Sequence, residues 1–202
     1  MDRWRNRKYL NALLVRKSLN YAYLQETYRE DSSSFCYNDL PDHCEKYGRL
    51  YLWSAAMDSA GLFSSNGLGC GYGAKACSPI EPVRGVCPSG WHLPSLDEWN
   101  VLRGAVGHNL FSHGTMLKSS SGWNEPGNGT DDYGFMALPA GMRNYGGGSC
   151  FEMSFRTYFW SSTQDRELFA NVLKLVSKHG GSYIFDEDDY ESRGFSVRCV
   201  KD

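Results

Sequence analysis

The 202-residue sequence predicts an α+β fold: two short helices, then a small antiparallel sheet, with long cysteine-clipped loops between them. Three observations predict it. A helix-start signature at Ser95 opens an apolar stripe of helical spacing. The second half breaks into short runs of aromatic and branched residues separated by turn formers, the mark of strands. Seven cysteines, 22 glycines and 14% aromatic residues point to loop-rich architecture whose core is pinned by large rings.

Taken in order, Leu50–Ala60 predicts the first helix, with Leu52, Ala55, Ala56 and Met57 available to the core. Gly61–Val86 is rich in glycine and serine and reads as an irregular insertion. In Cys87-Pro88-Ser89-Gly90-Trp91-His92-Leu93-Pro94-Ser95-Leu96-Asp97-Glu98-Trp99, Pro94 keeps His92-Leu93 extended. Ser95 and Glu98 then form a capping box, in which each side chain satisfies the other's free amide. Leu96, Trp99, Leu102 and Val106 give the stripe of a second helix over Leu96–Val106. His92 is expected to be a packed or hydrogen-bonded imidazole. Residues 107–132 read as loops, into which Trp123 plugs as an anchor, and Asn128-Gly129-Thr130 reads as a turn.

Strands are predicted at Phe135–Leu138, Tyr158–Thr163, Ala170–Val176 and Gly194–Val200. In the last, Phe195, Val197 and Cys199 alternate onto one face while Ser196 and Arg198 face away.

A hydrophobic content of 41% supports one substantial core in a chain of this length. The net charge of −2 gives no nucleic-acid footprint, so no DNA or RNA partner is expected. Charge is uneven: six of the 21 Lys/Arg but one of the 23 acids fall in residues 1–20. Residues 1–18 are therefore read as an atypical basic leader, either a truncated or misassigned start or an arm for an anionic surface, ahead of a single domain over 19–202. The apolar run Ala12–Val15 is too short for a signal peptide or a membrane span.

Cys36 and Cys44 flank one turn-rich segment, and Cys70 and Cys77 bracket a glycine-rich one. Both pairs read as disulfide clips on loops with little else to order them, each contributing roughly 2–3 kcal/mol in the chain-entropy model. Zinc is the competing reading, but seven and six intervening residues fit poorly with the close pairs of structural zinc sites.

Several blocks together resemble the Fibrobacter succinogenes major paralogous domain. Beside the Cys87–Trp99 segment these are Asn20-Tyr21-Ala22-Tyr23, Cys36-Tyr37-Asn38-Asp39, Cys44 to Tyr51, Trp53 to Asp58, Gly127 to Asp131, Gly134-Phe135 with Ala137 to Gly141, Phe159 to Thr163 and Gly194 to Val200. The resemblance implies a C-type-lectin-like fold, distantly similar to the formylglycine-generating enzyme group. It also implies a long-range Cys87–Cys199 disulfide and leaves Cys150 as a free thiol. Three bridges imply an oxidising compartment, so the chain is expected at the cell surface or outside the cell. The oxidase chemistry of the enzymatic relatives is not carried over, because Cys199 has no neighbouring cysteine near the C-terminus.

No catalytic constellation stands out. Histidines 43, 92, 108, 113 and 179 lie in separate segments without metal-ligand spacing, and Asp131, Asp132 and Glu152 lack the pairing of a glycosidase. The expectation is accordingly a non-enzymatic module with no catalytic residue, no metal and no cofactor. Binding is placed between the last two predicted strands, on Lys174, Lys178, His179, Tyr183, Asp188 and Tyr190, where tyrosines alternate with adaptable polar groups. Family resemblance puts ligand surfaces in this late region, and the ligand class expected is glycan or protein. Calcium is a weaker expectation for the cluster Asp186-Glu187-Asp188-Asp189, and the lectin-type calcium triplets are missing. The alternatives are a passive envelope protein, or an enzyme built around His92, His113 or Glu152.

Overall fold

The computed structural model describes residues 34–71, 77–106, 113–144, 148–178 and 182–202, of which 182–190 are described by backbone course. The basic leader expected over residues 1–18, and His179, lie outside the described residues. Four helices and nine short-to-medium strands make an α+β arrangement among the described residues, twice the number of helices expected. In chain order these are β1 (Ser34–Phe35), α1 (Pro41–Tyr47), β2 (Leu50–Tyr51), α2 (Trp53–Ala56), β3 (Trp91–His92), α3 (Leu96–Val106), α4 (His113–Leu117), β4 (Met142–Arg143), β5 (Cys150–Phe151), β6 (Arg156–Arg166), β7 (Phe169–Val176), β8 (Ser182–Tyr190) and β9 (Val200–Lys201).

The β6-β7-β8 sheet is the centre of the molecule, antiparallel throughout. Because side chains alternate across a strand, β6 and β7 feed two cores. Tyr158, Trp160, Ala170 and Val172 join Trp53, Met57, Leu93 and Phe195 on one face. Phe159, Leu173 and Leu175 join Trp99, Leu102, Leu117, Trp123 and Phe135 on the other. Burial of the large rings is matched by partners for their N–H groups: the Trp53 indole donates to Ser161 O at 2.8 Å, and that of Trp160 to Tyr51 O at 2.7 Å. Trp123 does plug its loop, donating to Ser119 Oγ and Ala137 O, both at 3.1 Å.

Helix α3 occupies the predicted Leu96–Val106. Its capping box is formed: Glu98 N donates to Ser95 Oγ at 3.3 Å and Ser95 N to Glu98 Oε2 at 2.9 Å. Leu96 N finds Thr163 Oγ1 at 3.0 Å. That contact gives Ser161-Ser162-Thr163 a structural purpose. The β6–β7 register slips between Trp160↔Val172 and Gln164↔Ala170, so these three residues bulge opposite Asn171 and turn their polar groups toward α3 and the Trp53 indole.

The first helix is shorter than expected. Leu50 and Tyr51 pair with β1 as strand, and Tyr51 also bridges Phe195. Helix α2 follows as a single turn, and Asp58, at φ 57°, stops further winding while its carboxylate accepts from Leu62, Phe63 and Ser64 amides. Phe135–Leu138 is not a strand; only Ala137 forms a bridge, to Lys118, because Met136 adopts φ 50°. Gly194–Val200 is split likewise: Gly194, Phe195 and Ser196 bridge Arg143, Tyr51 and Phe159, and only Val200–Lys201 pairs as a strand, with β3. The predicted alternation nevertheless holds, with Phe195, Val197 and Cys199 on the first core. Arg198, on the far side, reaches the second core, its guanidinium 4.5 Å from the Phe135 ring centroid.

Three disulfides join Cys36–Cys44, Cys70–Cys77 and Cys87–Cys199, and Cys150 is a free thiol. The last bridge spans 112 residues and runs beside the β3–β9 pair, so the start of α3 and the end of the chain are held together twice. No helix among the described residues is long and apolar enough to cross a membrane.

Candidate functional site

The segment expected as a loop between two strands, 177–193, is mostly the strand β8. Its acidic run lowers β propensity, yet β8 is an outer strand of the sheet, where charged side chains are well placed because they discourage pairing with another chain.

Register divides the predicted residues into two groups. Lys174 and Tyr183 are direct cross-strand partners, and Tyr158 is the partner of Lys174 on the other side, so one row crosses all three strands. Tyr190 pairs instead with Phe169, five residues along β7 from Lys174 and roughly 17 Å away at ordinary strand rise. Asp188 lies near that far end, in a shift of register between Val172↔Phe185 and Ala170↔Asp189. Lys178 is exposed just beyond β7. The five described residues therefore do not converge: Lys174, Lys178 and Tyr183 share one end of the sheet, while Asp188 and Tyr190 belong to the other.

The Lys174 end is built on a half-buried polar cluster in which Glu152, expected as a separate acid, has two partners. Lys174 Nζ stands 5.4 Å from the Tyr158 ring centroid, and that ring stacks on Phe195 at 4.6 Å. The Tyr158 hydroxyl donates to Glu152 Oε2 at 2.6 Å, and Arg156 pairs with the other Glu152 oxygen. Burial, reinforced by the Glu152 carboxylate, holds the Tyr158 hydroxyl protonated far above its usual range. Glu152 thus positions Tyr158 and Arg156. Periodicity could not show this, because Glu152 sits in a turn at φ 66° rather than on a strand.

Two further titratable side chains, Glu191 and His92, are buried. Glu191, at the end of the acidic run, is fully buried, with one carboxylate oxygen accepting from Gln164 Nε2 at 2.9 Å, and burial raises its pKa. His92 meets two carboxylates, Glu98 through Nε2 at 2.8 Å and Asp202 through Nδ1 at 2.6 Å. Both ring nitrogens are engaged and the side chain is 8% exposed, so the group acts as a clasp between α3 and the chain end. Among the described residues no group of three or more His, Cys, Asp or Glu side chains is arranged to hold a metal ion.

These features define an α+β domain, cross-tied by three disulfides, whose central antiparallel sheet buries both faces of β6 and β7 and carries a Tyr-Lys-Tyr row at one end. The chain belongs to the Fibrobacter succinogenes major domain family, whose model matches residues 4–201. No curated protein and no solved structure matches it.

Proposed function

We propose that this chain is a non-enzymatic binding module of C-type-lectin-like fold, exported to the cell surface or beyond, which recognises a glycan or protein through the Lys174–Tyr183 end of its central sheet. The observation that carries the reading is the Tyr158–Lys174–Tyr183 row, which ends on an outer strand and is anchored by the half-buried Glu152–Tyr158 hydrogen bond. A tyrosine on a strand offers contact area at low entropic cost, and a lysine beside it adds a charge for polar recognition. Three disulfides fit an oxidising compartment, which supports export.

The test is a screen of the oxidised protein on combined glycan and protein arrays, with a reduced and alkylated sample as control. Specific hits confined to the oxidised protein support the proposal. A sample with all three disulfides verified that binds nothing contradicts it and favours a passive envelope role.

A further inference from the structure

We infer that the Cys36–Cys44 bridge is a redox-labile site, opened by exchange with a dithiol, and that Arg49 holds the Cys44 thiolate which opening releases. The inference stands apart from the binding reading.

A disulfide opens readily where its surroundings accept a thiolate, and the three bridges differ in this respect. Cys70 and Cys87 are buried in the first core, with Cys77 and Cys199 packed against it. Apolar surroundings raise the pKa of a thiol and so disfavour reduction there. At Cys36–Cys44 the setting is cationic. Arg49 Nη1 lies 3.7 Å from Cys44 Sγ and 3.8 Å from Cys36 Sγ, within hydrogen-bonding reach of both sulfurs. The guanidinium is buried and aimed by β1, with Nε donating to Ser34 Oγ at 2.8 Å and Nη2 to Ser34 O at 2.5 Å. Arginine keeps its charge across the working pH range, so a fixed positive group faces the bond.

Other charges around this loop are turned to solvent or engaged elsewhere. Asp42, Glu45 and Lys46 are exposed on α1. Asp39 pairs with Arg143 of β4 at 2.6 Å, and His43 Nδ1 is 2.8 Å from Tyr37 O.

Accessibility sets the order of bond changes. Cys36 is partly exposed, whereas Cys44 is buried beside Arg49. A thiolate of the dithiol attacks Cys36 Sγ, the Cys36–Cys44 bond breaks, and its electron pair leaves on Cys44 Sγ against the guanidinium. The second thiolate of the dithiol then attacks its own sulfur in the mixed disulfide and releases Cys36, which takes up a proton. The dithiol ends as a disulfide, having given up two electrons, and the bridge ends as one thiol and one thiolate. A stabilised leaving thiolate both speeds this exchange and favours the reduced form.

The test equilibrates the full oxidised chain in graded mixtures of reduced and oxidised dithiothreitol, quenches with iodoacetamide and scores each bridge by peptide mapping. Cys36–Cys44 is expected to open at a potential where the other two stay closed, with an exchange constant at least about tenfold larger, or about 30 mV. Because its reduced form keeps a thiolate, its constant should rise with pH from about 6.5 to 8, an interval in which ordinary thiols stay mostly protonated. Those of Cys70–Cys77 and Cys87–Cys199 should stay nearly level. Arg49→Met is expected to lower the constant about tenfold and flatten its pH dependence, and Arg49→Lys to retain both. The wild-type order and pH profile decide the matter even if Arg49→Met does not fold. Three bridges opening together, either other bridge opening first, or an Arg49→Met chain that folds and keeps the wild-type constant overturns the inference. Cys150 supplies a further check, because its Sγ accepts from Asn38 N at 3.1 Å, two residues from Cys36. A Cys36–Cys150 linkage in the maps would assign the attack to Cys150 and overturn the dithiol step.

Discussion

His92 Nε2 lies 2.8 Å from Glu98 Oε1, and this contact couples the start of α3 to the β3–β9 pair. Because Asp202 occupies the other ring nitrogen, the clasp is complete only when the imidazole carries two protons and donates from both. Burial disfavours that charge, but hydrogen bonds to Glu98 and Asp202 outweigh it and raise the His92 pKa above its ordinary 6.5. Burial also opposes ionisation of Glu98, yet the His92 and Ser95 hydrogen bonds bring its pKa below 4.5.

The signs fix a pH window. The folded state holds the His92 proton more tightly than the unfolded chain, so this stabilisation is full below pH 6.5 and is lost as pH rises through the raised folded value. That from Glu98 is full above pH 4.5 and is lost as pH falls through its lowered folded value. Urea unfolding at a series of pH values should therefore show the clasp strongest between these limits, and His92→Gln should abolish the decline above pH 6.5. An unchanged slope in the variant would show that the clasp does not form.

At the helix start, Ser95→Ala is expected to cost about 1 kcal/mol through loss of the cap. Judged from the capping box alone, Glu98→Ala should cost only a fraction of that. With His92 also held by Glu98, the Glu98 variant is now expected to be at least as damaging as the Ser95 one. Denaturant midpoints measured at pH 6 decide the order.

Lys118 reports on the opposite side of the sheet. It is buried with its ammonium 3.0 Å from Val176 O and 3.3 Å from Ser177 O, and burial lowers its pKa to about 8. A depressed lysine leaves the unfolded chain binding more protons, so stability should rise with pH from about 8 until tyrosines begin to titrate. Lys118→Met should remove that rise while weakening the fold near neutrality, because both carbonyls lose their donor. Thermal unfolding across this interval distinguishes the two.

Non-reducing peptide mapping should recover Cys36–Cys44, Cys70–Cys77 and Cys87–Cys199, with Cys150 the alkylated thiol. Replacing both Cys87 and Cys199 by alanine should cost roughly 4–5 kcal/mol, the value for a long closed loop. A dominant peptide linking Cys150 to another cysteine would overturn the pairing.

Legibility followed the range of the interactions. Helix α3 could be read because its cap, stripe and end lie within a dozen residues, and β6 and β7 because their alternation is local. Strand β8 was hidden because an outer strand tolerates an acidic sequence that resembles a loop. The Ser161-Ser162-Thr163 motif was visible as a landmark but not as a bulge, since its partners at Trp53 and Leu96 are distant in sequence. The separation of the candidate residues was out of reach for the same reason: only register tells that Lys174 pairs with Tyr183 while Tyr190 pairs with Phe169. One consequence concerns Tyr183. Lying on a strand, it should lose some stability on truncation, on the order of 0.2–1 kcal/mol for a cross-strand pair, where a loop residue would lose almost none.

The most direct test repeats the array screen with a Lys174→Ala, Lys178→Ala, Tyr183→Ala triple variant beside the wild-type chain, with urea midpoints recorded for both. The account predicts that specific hits of the wild type disappear while the midpoint falls only modestly, whereas Trp99→Ala and Trp160→Ala lose binding only in step with folding. Hits that survive the triple variant at full strength would contradict the placement of function at this end of the sheet.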